Sequence, residues 1–147
     1  MGSKLFIVPI VLTSNARVRL LKSVPFFHGC SKCELEALSG ALTEVEVGPG
    51  VDVVRQGDDS REFYVIVSGT ADVFRGETLV RTLQAGDFFG EVANLFHARR
   101  SATVTAGSQL RLLVSDEPGF FRLIHETQGL HRKVIDAMAE RLAPTAL

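Results

Sequence analysis

Residues 62–74 read EFYVIVSGTADVF, and this stretch decides what kind of fold is open to the chain. Two short runs rich in β-branched and aromatic residues, 62–67 and 70–74, are separated by Ser68-Gly69. Such runs bounded by a turn dipeptide read as strands. The same texture extends in both directions. TEVEV (43–47), VDVV (51–54), LVRTL (79–83), SATVTA (101–106) and LRLLV (110–114) are further short strands. GPG (48–50), QGDDS (56–60), RGE (75–77) and QAGD (84–87) supply turns between them. Seven or eight short strands at this spacing point to a β-sandwich or barrel-like roll.

Outside 42–114 the period becomes helical. Arg17 to Lys22 can form a short helix ending near Val24-Pro25, since a residue before proline is pushed out of the α region. In CSKCEL (30–35), Ser31 as N-cap and Glu34 three residues on make a capping box, with Cys30 placed to staple onto Leu35. Leu35, Leu38, Ala41 and Leu42 recur at helical spacing. After the strands, PGFFRLIHET (118–127) makes one helix, with Pro118 suited to its first turn. GLHRKVIDAMAERL (129–142) makes another, with Leu130, Val134, Met138 and Leu142 on one stripe joined by Ile135. The expected fold is mainly β with flanking helices: an eight-stranded antiparallel, jelly-roll-like β-roll with a short N-terminal helix and two C-terminal helices.

Composition narrows the functions. With 147 residues, 46% of them hydrophobic, the chain supports one core. Sixteen basic against seventeen acidic residues leave no overall field to gather nucleic acid or an anionic membrane, so any anion site is local. Cys30 and Cys33 are too few for a disulfide scaffold, which favours a reducing, cytoplasmic setting, the cytosolic domain of a membrane protein included. LFIVPIVL (5–12) is too short to span a bilayer. Residues 1–16 read as an apolar N-terminal arm or an expression remnant, and 17–147 as the domain itself. A signal peptide, with Lys4 as its basic region and Ser14-Asn15-Ala16 as its cleavage site, is the alternative for the first stretch.

One stretch carries charges without an evident structural reason. In FFGEVANLFHARRSATV (88–104), Gly90-Glu91 and Arg99-Arg100 flank a short run of apolar and small residues. Free amides at the start of a helical turn attract a phosphate, and Gly90 allows close approach to the backbone. Arg100, nine residues after Glu91, can grip phosphate oxygens as a bidentate fork. Glu91 repels phosphate but accepts from a hydroxyl. An arginine for phosphate and a glutamate for a neighbouring sugar hydroxyl describe a ribose phosphate.

These residues resemble the phosphate-binding cassette of the cyclic-nucleotide-binding domain family. Phe89-Gly90-Glu91-Val92-Ala93 and Arg100-Ser101-Ala102-Thr103-Val104 match its two halves at the same spacing, and the resemblance runs over nearly the whole chain. It implies that Phe89, Gly90, Glu91, Val92, Ala93, Arg100, Ser101 and Ala102 form the ligand site. Glu91 would take the ribose 2′-hydroxyl and Arg100 the exocyclic phosphate oxygens. The Gly90 and Ala93 amides and Ser101-Ala102 would complete the cradle, with Val92 leaning toward base or sugar. The implied ligand is cAMP, or cGMP. Ser101 can hydrogen-bond a guanine amino group or turn to the phosphate, so cAMP is expected to bind at least as well as cGMP. Two departures stand out: Asn94 replaces an apolar residue, and Ala98-Arg99 replaces a frequent proline before the arginine. No lid residue over the base can be named.

The expectation is therefore a non-enzymatic sensor that binds a cyclic purine nucleotide and transmits binding by movement of its C-terminal helices to an effector, in a larger protein or in a partner. Homo-oligomerisation is left open. The alternative keeps the fold without the ligand, as a structural or protein-interaction module, and Asn94 is the residue that encourages it. No metal is expected: Cys30 and Cys33 form a single pair where zinc usually needs two, and His28, His97, His125 and His131 lack ligand spacing. Nucleic-acid binding and membrane insertion are not expected.

Overall fold

The computed structural model describes residues 7–10 and 13–142. In chain order they form β1 (Ile7–Ile10), α1 (Ser14–Ser23), a 3-10 turn (Pro25–Phe27), α2 (Lys32–Ser39), β2 (Thr43–Val47), β3 (Asp52–Val54) and β4 (Phe63–Ser68). Then follow β5 (Ala71–Arg75), β6 (Thr78–Leu83), β7 (Phe88–Phe89), α3 (Glu91–Phe96), β8 (Thr103–Ala106), β9 (Leu110–Ser115), α4 (Glu117–Glu126) and α5 (Gln128–Leu142). One sheet has the order β1-β2-β9-β4-β7 and the other β3-β8-β5-β6, with every pairing antiparallel. Strands β2 to β9 are the eight strands of the expected roll. β1 adds a ninth by pairing with β2 in register Ile7↔Val47, within the stretch read as an arm. Residues 1–6, including Lys4 of the signal-peptide reading, lie outside the described residues, as do Val11 and Leu12.

The run FYVIVS of β4 is apolar on both faces because both faces are covered. Phe63 and Val65 face a helical layer with Leu21, Leu38, Phe120 and Leu123. Tyr64 and Ile66 face the space between the sheets, with Val54, Leu83, Val104 and Leu112. β7 divides in the same way: Phe88 goes to the helices and Phe89 to the inter-sheet core. After β4 the chain passes at Ser68-Gly69 from one sheet to the other, so β4 and β5 are consecutive without being paired. Phe26, Phe63, Phe88 and Phe120 pack as tilted rings with centroids 4.8–6.2 Å apart, which ties the 3-10 turn and α4 to the sheet.

The helix ends follow local chemistry. Ser31 Oγ accepts from the Glu34 amide at 3.1 Å and Glu34 Oε1 from the Ser31 amide at 2.7 Å, completing the capping box. Cys30, just before this cap, packs on the cluster that contains Leu35, and burial pushes its thiol pKa up. Asp116 caps α4 by accepting from the Gly119 amide at 2.8 Å. On α5, Leu130 and Val134 are buried, whereas Ile135 is 37% exposed. Ile135 stands about 100° around the helix from Val134, outside the arc that packs on α4. No helix among the described residues is long and apolar enough to cross a membrane.

Candidate functional site

The stretch between β7 and β8 forms the wall of a cavity. Gly90 caps α3 with φ +101°, in the left-handed region that favours glycine. A Cβ there would lie 2.6 Å from the Glu62 carbonyl oxygen and 3.0 Å from Arg100 Nη1. Glycine thus meets both the backbone angle and the close approach of the arginine. Just before it, Phe89 stacks on its cross-strand partner Tyr64, with centroids 4.7 Å apart and planes at 13°. Burial, with help from Glu62, pushes the Tyr64 phenol pKa up to about 12, so this wall stays neutral.

Arg100 is 5% exposed, a placement that a guanidinium tolerates only when it is well held. Its backbone is clamped by the QGDDS turn: its amide donates to the Asp58 carbonyl and its carbonyl accepts from the Gly57 amide, both at 2.9 Å. Its Nε donates to Ser60 Oγ at 2.9 Å and its Nη2 to the Glu62 carbonyl at 2.8 Å. Both acceptors are neutral, and the Glu62 carboxylate comes no closer than 4.0 Å. Burial pushes the Arg100 pKa down, yet an arginine remains charged in a protein. Nη1 is buried and has no hydrogen-bond partner among the described residues. A buried donor of a charged group left without an acceptor costs about 1–3 kcal/mol or more, so Nη1 is the corner of this guanidinium that a further acceptor would stabilise.

The cavity beside it has a volume of about 110 Å³. All eight residues singled out from the sequence line it: Phe89, Gly90, Glu91, Val92 and Ala93 from one side, Arg100, Ser101 and Ala102 from the other. The strand expected from Ser101 begins only at Thr103, which leaves Ser101-Ala102 as a connection facing the cavity. Glu91 is 1% exposed. Arg99 is exposed and donates to the Gly57 carbonyl at 3.1 Å, outside the cavity lining.

Sequence reasoning missed three parts of this site. Ser60 and Glu62 anchor Arg100 from 40 and 38 residues away, a pairing with no local signal. Val54, Val73, Val80, Leu83 and Val104 form apolar walls. Arg75 and Arg81 also line the cavity. For Arg81 strand parity gave no signal, because a register shift at Val80 separates it from Leu79, which is exposed and does not line the cavity.

The family described as the cyclic nucleotide-binding domain matches residues 44–127, which spans both halves of the cavity wall. The chain belongs to the cyclic nucleotide-binding domain family. Among its relatives is the cAMP-dependent protein kinase regulatory subunit of Schizosaccharomyces pombe, 39% identical over 114 residues, covering 77% of this chain and 28% of that protein. The chain thus spans less than a third of that relative's length. In structure it is similar to the regulatory domain of Toxoplasma gondii PKA crystallised with cAMP, at TM-score 0.71 and 28% identity, covering 84% of this chain and 50% of that one. It is also similar to the regulatory subunit of a cAMP-independent protein kinase A from Trypanosoma cruzi bound to guanosine, at TM-score 0.73 and 27% identity, covering 87% and 48%.

Asn94, the departure within α3, does not line the cavity of this family member. It is 0% exposed, and neither its Oδ1 nor its Nδ2 has a partner among the described residues. An unpaired buried amide costs about 1–3 kcal/mol. Asn94→Leu should therefore stabilise the domain by about that amount and raise its unfolding midpoint by roughly 2–4 °C per kcal/mol. Paired denaturation curves of parent and variant check this, and an unchanged or lower midpoint would mean that Asn94 is satisfied in solution.

Proposed function

We propose that this domain is a sensor for a cyclic purine nucleotide, cAMP included, and that residues 17–147 form the sensing unit. The observation that carries the reading is Arg100 Nη1, a buried cationic donor without a partner at the edge of the cavity. An anionic oxygen there would satisfy it, and the cyclic phosphate supplies two exocyclic oxygens for a guanidinium fork. Glu91, at the first position of α3, would accept from the ribose 2′-hydroxyl, with the Gly90 and Ala93 amides and Ser101-Ala102 closing the cradle. Val54, Val73 and Val104 would flank the purine. No bond is made or broken in this scheme.

Signal output would run through α3. Val92 lines the cavity, whereas Leu95, on the same six-residue helix, packs against the cluster that holds Phe120, Leu130 and Val134 of α4 and α5. A ligand that draws α3 toward Arg100 would pull on the C-terminal helices, and an effector coupled to them would respond by the difference in affinity between the two arrangements. The relatives favour a protein kinase as that effector.

A second reading takes its support from the guanosine-bound relative: a nucleoside without phosphate. Calorimetric titration separates the two. The account expects saturable 1:1 binding of cAMP or cGMP and at least about a hundredfold weaker binding of adenosine and guanosine, since two charge-assisted hydrogen bonds are lost. Nucleosides that bind as tightly as the cyclic nucleotides would favour the second reading. Glu91→Gln should weaken binding by only about tenfold, because its amide oxygen still accepts from the hydroxyl.

A further inference from the structure

Between Ser60 and Glu62, the two anchors of Arg100, stands an arginine that is not part of the cavity lining. Arg61 Nη1 donates to the Ala98 carbonyl at 3.0 Å and pairs with Asp59 Oδ1 at 2.9 Å. Ala98 directly follows the C-cap of α3, so Arg61 holds the exit of the cassette helix. With Gly57 and Asp58 bonded to the Arg100 backbone, and Ser60 and Glu62 to its side chain, the 57–62 turn and the 98–100 segment are tied along their length. Displacement of one carries the other.

Arg61 also faces the start of α4. Its Nε lies 3.8 Å from Glu117 Oε2, and His97 Nδ1 approaches the same oxygen at 3.7 Å. Glu117 is the first residue of α4, where the helix dipole favours an acid. Oε2 is buried and has no hydrogen-bond partner among the described residues. Neither contact is short enough for a hydrogen bond, and a shift of roughly 1 Å would make one. The Arg61 side chain is 26% exposed and that of His97 72%, so the arginine contact is the less screened by water.

Resting on the sensor reading above, we infer that Arg61 is a positioning residue for signal output: closure of its contact with Glu117 accompanies occupancy of the cavity and fixes the first turn of α4 to the cassette. An anion gripped by Arg100 pulls on the guanidinium and hence on the 60–62 segment that holds it, which contains Arg61. This route is separate from the one through Leu95, because it is electrostatic and reaches α4 at its N-terminus. Linkage is reciprocal: a ligand that strengthens the contact is itself strengthened by the contact, by the same factor. The sign is therefore diagnostic. Glu117 places a negative charge on the cassette side of α4, so neutralising it would tighten the binding of an anion if charge alone mattered. Loss of the closing contact would weaken it.

The test measures cAMP affinity by calorimetric titration, and amide hydrogen exchange with and without saturating cAMP, in the parent, Arg61→Gln, Glu117→Gln and the double variant. Glu117→Gln should lower affinity about three- to fivefold, the upper range for a part-exposed ion pair. Arg61→Gln should lower it at least as much, since it also releases the Ala98 carbonyl. The double variant should lose no more than the larger single loss, because the two residues act through one contact. In the parent, cAMP should slow exchange in 117–126 as well as in 88–104. In Glu117→Gln the slowing should persist in 88–104 and fall at least about threefold in 117–126. The inference is overturned if Glu117→Gln binds cAMP as tightly as the parent or more tightly, if the single losses add in the double variant, or if α4 responds to cAMP equally in parent and variants. Failure of cAMP to bind the parent would remove the sensor reading and this one with it, whereas binding with no response in α4 removes this one alone.

Discussion

Arg100→Leu should abolish nucleotide binding while the domain stays folded. The guanidinium would give two charge-assisted hydrogen bonds to the phosphate at about 1.5–3 kcal/mol each, so the loss is at least about a hundredfold in affinity. Folding is expected to survive because of what the side chain leaves behind. Its protein partners are the Ser60 hydroxyl and the Glu62 carbonyl, both neutral, and the Glu62 carboxylate 4.0 Å away is 40% exposed and can turn to water. Removing Arg100 therefore strands no buried charge, and leucine relieves the desolvation of a cation. A circular dichroism spectrum and denaturation curve close to the parent's, beside a flat titration, is the expected pair of results. Undiminished binding would show that the phosphate lies elsewhere.

Gly90→Ala should damage both stability and binding. Left-handed backbone costs a non-glycine residue about 1–2 kcal/mol. The new methyl would also lie 2.6 Å from the Glu62 carbonyl, which cannot retreat cheaply because it immediately precedes β4 and accepts from Arg100. We expect a total loss of about 2–4 kcal/mol and a fall in nucleotide affinity of at least about a hundredfold. Gly29→Ala provides the control. Gly29 has φ +96°, close to that of Gly90, but nothing within 4 Å of where its Cβ would stand. Its substitution should cost only the backbone share and leave affinity alone. Equal losses at the two positions, measured by denaturation, would mean that the crowding around Gly90 carries no energy.

The parts of this molecule that could be read from sequence are those written locally. The cassette lies within fifteen residues, so the glycine, the carboxylate and the arginine come to the same cavity by the turn of one short helix and one connection. The capping box of α2 needs only Ser31 and Glu34. Sheet topology needs more: β4 pairs with β9 and β7 rather than with β5, and no pattern inside EFYVIVSGTADVF says so. β7 has two residues, too few to show any period. The anchors Ser60 and Glu62 reach Arg100 only once the 56–60 turn folds back on it. Asn94 was visible as a departure, but its complete burial with both amide atoms unpartnered emerges only from the packing of α3 against α5.

The central claim, that an anionic ligand completes the cavity at Arg100, is tested most directly by thermal unfolding with and without cyclic nucleotide in the parent and in Arg100→Leu. A ligand bound only to the native state at a hundredfold excess over its Kd stabilises it by about 2.7 kcal/mol. For a chain of this length that raises the midpoint by roughly 5–10 °C. The account predicts such a rise in the parent and none in the variant. No shift in the parent at millimolar cAMP or cGMP, or equal shifts in the two proteins, would contradict it.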